Sequence, residues 1–135
     1  MALLAEIVVA ASGLFLIGLA GLMLVDPAMT ERFIMSFASS RQAHFTEMIF
    51  RLLFGISLML LSKTMWQPEL FLILAWAIIV SSVVLVLLPW QFHQRFGTRV
   101  LPLLVRYMRL YALGILAFGV LVLYGVYHPC ISSAA

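Results

Sequence analysis

Charged side chains are scarce in this sequence, and their scarcity restricts the class of protein more than any motif does. Only 10% of the 135 residues are Asp, Glu, Lys or Arg, whereas about 25% is usual in soluble proteins. Hydrophobic residues make up 65% of the chain, against roughly 45–50% in an average globular domain. A soluble domain of this length has no core large enough for so much apolar surface, so the composition indicates a protein that lies in lipid.

The sequence also lacks the features of nucleic-acid-binding and disulfide-bonded proteins. The net charge is +3, but the basic residues flank apolar runs and form no Lys/Arg-rich tract, which argues against nucleic acid as a partner. Cys130 is the only cysteine, so the chain has neither an internal disulfide nor a Cys-x-x-Cys pair. The N-terminus has no positive region of the kind that signal peptides carry, so we expect the first apolar run to be retained.

Four apolar runs are long enough to cross the roughly 30 Å hydrocarbon core of a bilayer as helices. We predict spans at residues 3–25, 45–65, 70–88 and 102–127, within a single domain that covers residues 1–135. The predicted fold class is an all-α membrane protein with four transmembrane helices.

The first and third connections between the spans are longer and have an amphipathic pattern. Asp26-Pro27 is a good helix start, and the residues after it predict a short helix in the membrane interface. Pro89-Trp90 begins a second interfacial segment, which we expect to end at Gly97-Thr98. Pro102 is then expected to begin the fourth span.

Small residues recur along the spans at helical spacing. Small side chains let two helices approach closely in lipid, although glycine and alanine are also simply common in membrane spans. The residues that we predict to pack helices together are Gly13, Gly21, Gly55, Ala77, Ser81, Gly114 and Gly125.

The basic residues are distributed very unevenly. Seven of the eight lie in or beside the first and third connections, and the second connection holds Lys63 alone. By the positive-inside rule, both long connections should be cytoplasmic and both termini external. The third connection and the start of the next span hold the densest group, which we expect to contact anionic lipid headgroups or an acidic partner: Trp90, Arg95, Arg99, Arg106 and Arg109.

Glu47 and Arg51 lie four residues apart near the start of the second span, so they share a helix face and can form an ion pair. At this depth an arginine can extend to the headgroups, which favours a simple anchoring pair. The alternative is that the pair touches a buried partner or a polar cavity.

No set of residues predicts catalysis, a metal ion or another cofactor. His44 and His93 are both expected on the cytoplasmic side, the first at a helix start and the second in a connection, which is a poor arrangement for a haem between spans. His128 and Cys130 lie close together in the tail, which is a weak indication of metal binding. No serine, threonine or cysteine has an evident base beside it.

The halves of the chain, residues 1–66 and 67–130, follow one plan. LMLVDPAMTERF precedes RLLFGISLMLLS in the first half, and LVLLPWQFHQRF precedes RLYALGILAFGVL in the second. Pro27 matches Pro89, and Arg32-Phe33 matches Arg95-Phe96. We therefore predict two tandem hairpins of the same orientation, related by an axis along the membrane normal, although any two hydrophobic hairpins share some features.

Each half also resembles the small, uncharacterised two-span inner-membrane protein families of bacteria. Their plan is a Gly/Leu-rich span ending in proline, a short Arg-bearing connection, and then Arg-Leu, Gly and a Leu-rich span. The resemblance implies a location in a bacterial inner membrane, and it implies neither an enzyme activity nor catalytic residues.

These features together predict an interaction role in the bilayer. The chain is expected to act as a subunit, assembly factor or scaffold of a membrane complex, or as a homo-oligomer, without catalysis of its own. The alternative is a small transporter or channel, but such proteins usually keep an ionisable group deep inside a span, and Glu6 and Arg51 lie near span ends.

Overall fold

A computed structural model gives the fold of the chain, which is described here for residues 1–128. These residues form six α-helices and one short 3₁₀ turn, Ser62–Thr64, which follows the third helix. The helices are α1 Ala2–Val25, α2 Pro27–Phe37, α3 Arg41–Leu61, α4 Pro68–Leu87, α5 Trp90–Arg106 and α6 Met108–Tyr127. Four of them, α1, α3, α4 and α6, are long and apolar enough to cross a membrane.

Polar side chains define the helix boundaries at the first connection. Asp26 ends α1 and begins α2, because its Oδ1 accepts a hydrogen bond of 2.9 Å from the Met29 backbone amide. Ser40 does the same for α3, since its Oγ accepts from the Ala43 amide at 3.1 Å. α3 therefore begins at Arg41, four residues before the predicted start of the second span.

The fourth span does not begin at Pro102, which corrects the sequence prediction. α5 continues through Gly97, Thr98 and Pro102, and the helix is interrupted only at Tyr107, with φ −110° and ψ 26°. The prediction relied on local helix breakers, whose cost is a few kcal/mol at most. The interruption occurs where α5, which contains three arginines, is followed by the more apolar α6.

The helices pack in pairs that join the two halves of the chain. α1 lies against α6 and also contacts α3, while α3 lies against α4. The main core is at the end of the bundle where α1 begins and α6 ends, and its buried residues are Ala5, Val9, Leu58, Leu61, Met65, Phe71, Ala75 and Val122. A smaller apolar cluster joins the opposite ends of α1 and α6, and consists of Met23, Met108 and Ala112 with Leu19 and Ile115 packed beside them.

Glycines permit the close approach in both pairs. A Cβ at Gly119 would lie 3.0 Å from the Gly13 carbonyl oxygen and 3.0 Å from Ile17 Cγ1. A Cβ at Gly55 would lie 2.8 Å from Ile79 Cγ1 and 3.5 Å from the carbonyl oxygen of Ala75. Gly119 therefore faces the backbone of α1, where any side chain would push the helices apart. Gly55 faces mainly the isoleucine side chains of α4.

The predicted packing residues fall into two groups. Gly13 and Gly125 make further close contacts. The Cβ position of Gly13 lies 2.9 Å from Leu123 Cγ, and that of Gly125 lies 2.6 Å from both Met65 Cε and Phe71 Cζ. Gly21 and Gly114 have no atom within 4 Å of theirs, so neither packs against another helix of this chain. Ala77 is exposed as well, and the buried small residues of α4 are instead Ala75 and Ser82.

Candidate functional site

A cluster of polar side chains lies where α3, α4 and α5 meet. α3 contributes His44, Glu47 and Arg51, which lie on one helix face because they recur at intervals of about one helical turn. α4 contributes Ser81, and α5 contributes His93. The fold brings His93 to this position because α5 leads back from the end of α4 and contacts that helix.

Glu47 and Arg51 form the ion pair that their spacing permits. Arg51 Nη1 lies 3.4 Å from Glu47 Oε1, and the two side chains are 38% and 23% exposed. Arg51 Nη2 also lies 3.5 Å from Ser81 Oγ on α4. The second carboxylate oxygen of Glu47 lies 3.5 Å from His93 Nε2 on α5. The pair is thus neither free in solvent nor fully buried, and it links all three helices.

His44 is the most deeply buried member of the cluster, with 1% of its surface exposed. Its Nε2 lies 3.2 Å from the Leu85 carbonyl oxygen on α4. Its ring centre lies 4.8 Å from that of His93, and the ring planes are inclined by 47°. Among the described residues, the Nδ1 atoms of His44 and His93 are buried without a hydrogen-bond partner.

The surroundings of His93 favour its neutral form. Burial lowers the pKa of His93 below its ordinary value of about 6.5. The carboxylate of Glu47 opposes this effect, whereas His44 and Arg51 lower the pKa further. The balance is a pKa below the ordinary value, which favours the neutral form of the ring.

No pattern in the sequence predicted that His44 and His93 lie side by side. His44 was placed at a helix start and His93 in a connection, and no spacing signal relates residues on two helices that are so far apart in the chain. Two imidazoles on opposite sides of a haem iron would also lie farther apart than 4.8 Å, because each ring stands off the metal by a full metal–nitrogen bond. No group of three or more His, Cys, Asp or Glu side chains within residues 1–128 is arranged to hold a metal ion.

The tail histidine lies elsewhere in the fold. His128 follows α6 and stacks on the Tyr124 ring, with ring centres 4.4 Å apart. Cys130, which follows it by two residues and gave the weak indication of metal binding, lies outside the described residues.

The outer surface of α5 is a second candidate site. None of its residues is fully buried. The side facing the bundle holds the half-buried His93, Gly97 and Leu104. Two stripes of exposed residues run along the helix: an arginine stripe of Arg95, Arg99 and Arg106, and beside it an apolar stripe of Phe92, Phe96 and Leu103.

Two further predicted contact residues flank these stripes. Arg109 is exposed on α6, and Trp90 is half-buried at the start of α5. The Arg106 guanidinium lies over the Tyr107 ring, 5.5 Å from its centre. Exposed basic residues are thus found from α5 to the start of α6.

Comparison of the chain with protein-family models, with curated proteins and with solved structures gives no match.

Proposed function

We propose that this protein is a subunit, assembly factor or scaffold of a membrane complex, with no catalysis of its own. The observation that carries the proposal is α5, a helix of 17 residues with none fully buried. The apolar contacts of the four long helices form the two clusters of the bundle without it. A helix that the bundle holds in place but does not bury is available for contacts outside the chain.

The two stripes on α5 suit the boundary between lipid and water. Helices that lie in the membrane interface bury an apolar side among acyl chains and extend basic residues to the headgroups. Phe92, Phe96 and Leu103 supply the apolar side, and the arginine stripe adjoins it. Juxtamembrane arginines contribute about 1 kcal/mol each toward an anionic surface. Anionic headgroups, or an acidic segment of a partner at the same depth, are the ligands of this surface.

The proposal includes an orientation and a compartment. With seven of the eight basic residues in or beside the first and third connections, α2 and α5 face the cytoplasm and both termini are external. The short Arg-bearing connections and the resemblance of each half to two-span bacterial families support a bacterial inner membrane.

We further infer that the two halves are tandem repeats. Gly13, Leu16 and Ile17 of α1 surround the Cβ position of Gly119, and Ala75, Ile78 and Ile79 of α4 surround that of Gly55. The two sets have the same spacing along their helices. Equivalent glycines thus contact equivalent positions, which supports a pseudo-two-fold axis along the membrane normal.

A small transporter or channel is the second candidate, and the polar cluster is the observation that favours it. Ionisable residues within spans usually mark the pathways of ions and substrates. Glu47 and Arg51 belong to α3, which is long enough to span. Glu47 lies in the first half of this helix, and Arg51 is its middle residue, the eleventh of 21. The pair contacts α5 as well as α4, which fits a site near the surface where α5 lies better than a pathway through the bundle.

Native mass spectrometry after mild extraction tests the proposal. We expect an oligomer or a heteromeric complex that retains anionic lipid, and we expect both to be weakened when Arg95, Arg99 and Arg106 are changed together to Gln. Lys63→Gln, on the second connection, is the matched control and should change neither. A lone monomer without retained lipid, together with substrate-dependent transport in reconstituted vesicles, would replace this function with the second candidate.

Reporter fusions test the orientation separately. A reporter inserted near Gly97 should have cytoplasmic activity, and one fused after Ala135 should have external activity. Cytoplasmic activity after Ala135 would reverse the proposed orientation without affecting the interaction role.

A further inference from the structure

An open cavity of about 450 Å³ lies where α5 ends and α6 begins. Its walls come from two corners of the fold. Pro27 contributes from the corner between α1 and α2, while Arg106, Tyr107, Arg109 and Leu110 surround the interruption between α5 and α6. The volume is within the range of ligand pockets, roughly 300–1,000 Å³. The fold thus forms a concave surface from two segments that are far apart in the chain.

The cavity lies level with the ends of two candidate spans. α1 ends at Val25 and α6 begins at Met108. These ends are side by side, because Met23 packs against Met108 in the smaller apolar cluster. Two spans that end together do so at the same membrane surface. The cavity therefore opens at the depth of the lipid headgroups.

The two arginines of the cavity have no ion-pair partner within residues 1–128, where both ion pairs involve Glu47. Asp26, at the corner between α1 and α2, caps α2, because its Oδ1 accepts a hydrogen bond of 2.9 Å from the Met29 amide. Arg106 and Arg109 are both exposed. Their guanidinium groups are therefore free to bind an anion from outside the chain.

Aromatic and apolar side chains form the rest of the cavity wall. The Arg106 guanidinium lies over the Tyr107 ring, 5.5 Å from its centre, and this contact orients it. Val105 and Leu110 are exposed apolar residues of the same wall. A site that places cations beside apolar side chains at this depth suits a lipid, which offers a charged headgroup and acyl chains together.

We propose that this cavity binds the headgroup of one anionic phospholipid, with a preference for a headgroup that carries two phosphates. Guanidinium groups bind phosphate oxygens through paired N–H···O hydrogen bonds, and two of them match two phosphates in charge. Basic pockets between membrane helices are known sites for such headgroups. The inference rests on the lipid contact in the proposed function, and it adds a single site and a class of lipid.

A diffuse attraction of lipid to the basic surface is the competing explanation. The arginine stripe of α5 attracts anionic headgroups without holding any one molecule. A diffuse surface responds to its total charge, so any two exposed arginines on this side would contribute about equally. A site responds chiefly to its own two arginines. Variants that remove equal charge therefore separate the two explanations.

The experiment is a titration of the delipidated full-length chain in neutral detergent, in which native mass spectrometry counts the bound lipids. The probes are diphosphatidylglycerol, phosphatidylglycerol and phosphatidylcholine. We expect one diphosphatidylglycerol per chain to bind before any other, with weaker binding of phosphatidylglycerol and the weakest of phosphatidylcholine. Changing Arg106 and Arg109 together to Gln should weaken this first binding about tenfold or more, because charge-assisted hydrogen bonds to phosphate are lost.

The matched control changes Arg32 and Arg41 together to Gln. It removes the same charge from two exposed arginines that do not line the cavity. Arg41 also lies over an aromatic ring, 5.7 Å from the centre of Phe45, as Arg106 does over Tyr107. The control should weaken the first binding by less than about threefold, because charges outside the site are screened. All four arginines are exposed, so both variants should fold, and far-UV circular dichroism checks this.

Equal losses in the two double variants would overturn the site and leave the proposed function in place, because the lipid contact would then be diffuse. Equal binding of the three lipids by the wild-type chain would also overturn it. Excess inorganic phosphate should not displace the bound lipid, since it makes no contact with the apolar wall, and displacement would contradict a lipid site. A monomer that still binds one lipid tightly would overturn the proposed complex but support the site.

Discussion

The α1–α6 pair and the α3–α4 pair both pack closely at a glycine, but the side chains beside that glycine are apolar in one pair and polar in the other. Each pair places a glycine against the opposite helix, and the residues around that glycine have the same spacing. Beyond the glycine, α1–α6 continues with apolar side chains, while α3–α4 continues with an ion pair and a buried histidine. Close contact at a glycine is thus common to both pairs, and the adjoining positions differ in chemistry.

The difference shows which part of each contact stabilises the bundle. Helices in lipid gain nothing from hiding apolar surface from water, so their association depends on close packing and on interhelical hydrogen bonds. The glycine contacts provide close packing in both pairs. The contact between Arg51 and Ser81 is long, at 3.5 Å, and adds little. Stability should therefore depend more on the glycines than on the polar cluster.

The largest expected effect comes from filling a glycine contact. In Gly119→Ala the new methyl carbon would lie 3.0 Å from the Gly13 carbonyl oxygen, and backbone cannot move aside as a side chain can. Overpacking of this kind costs about 1–3 kcal/mol, measured as a lower free energy of unfolding in detergent. Gly114→Ala, on the same helix with open space around it, is the control and should change stability by less than about 0.5 kcal/mol.

Gly55→Ala measures the cost of filling the glycine contact in the α3–α4 pair. Its nearest contacts are the side chains of Ile79 and Ile78, with the Ala75 carbonyl farther away at 3.5 Å. Side chains can change rotamer, so the loss should be smaller than for Gly119→Ala. A larger loss at Gly55 would show that the α3–α4 pair is the more rigid of the two.

The next variant replaces polar side chains of the α3–α4 pair with the apolar side chains found at the corresponding positions of the α1–α6 pair. Arg51→Ile and Ser81→Leu install the side chains of Ile115 and Leu19, and Glu47→Gln avoids leaving an unpaired carboxylate. Replacing even a fully buried ion pair by apolar residues is often neutral or stabilising, and this pair is only partly buried. The triple variant should therefore match the wild-type free energy of unfolding or exceed it by about 1 kcal/mol. A loss of several kcal/mol would mean that the cluster is needed for folding.

The sequence predicted the long helices well because hydropathy over about 20 residues is a strong signal. Four candidate spans and the helical class of the fold are confirmed. The start of the fourth span was wrong, because Gly97 and Pro102 have only local preferences, whereas Tyr107 is where the helix is interrupted.

The candidate site was predictable only within one helix. The spacing of Glu47 and Arg51 shows that they share a face, but the contacts with Ser81 and His93 depend on how three helices meet. The same limit explains Gly119, which the sequence analysis did not select although it is the tightest contact of α6 with the α1 backbone. Packing residues such as Gly119 are identified by the helix opposite them, and no single-helix pattern contains that information.

The smallest expected effect concerns the ion pair alone. In Arg51→Gln the loss should be about 1 kcal/mol or less, because a partly exposed pair is screened and its partners can be solvated. Arg51 is 38% exposed, and Glu47 keeps its contact with His93 when the guanidinium is removed. A fully buried pair would instead lose roughly 3–5 kcal/mol when one partner is deleted. Chemical unfolding of Arg51→Gln beside Arg41→Gln, an exposed arginine at the start of the same helix, measures the difference. A loss in the larger range would show that the α3–α4 pair depends on its charges as much as the α1–α6 pair depends on its glycines.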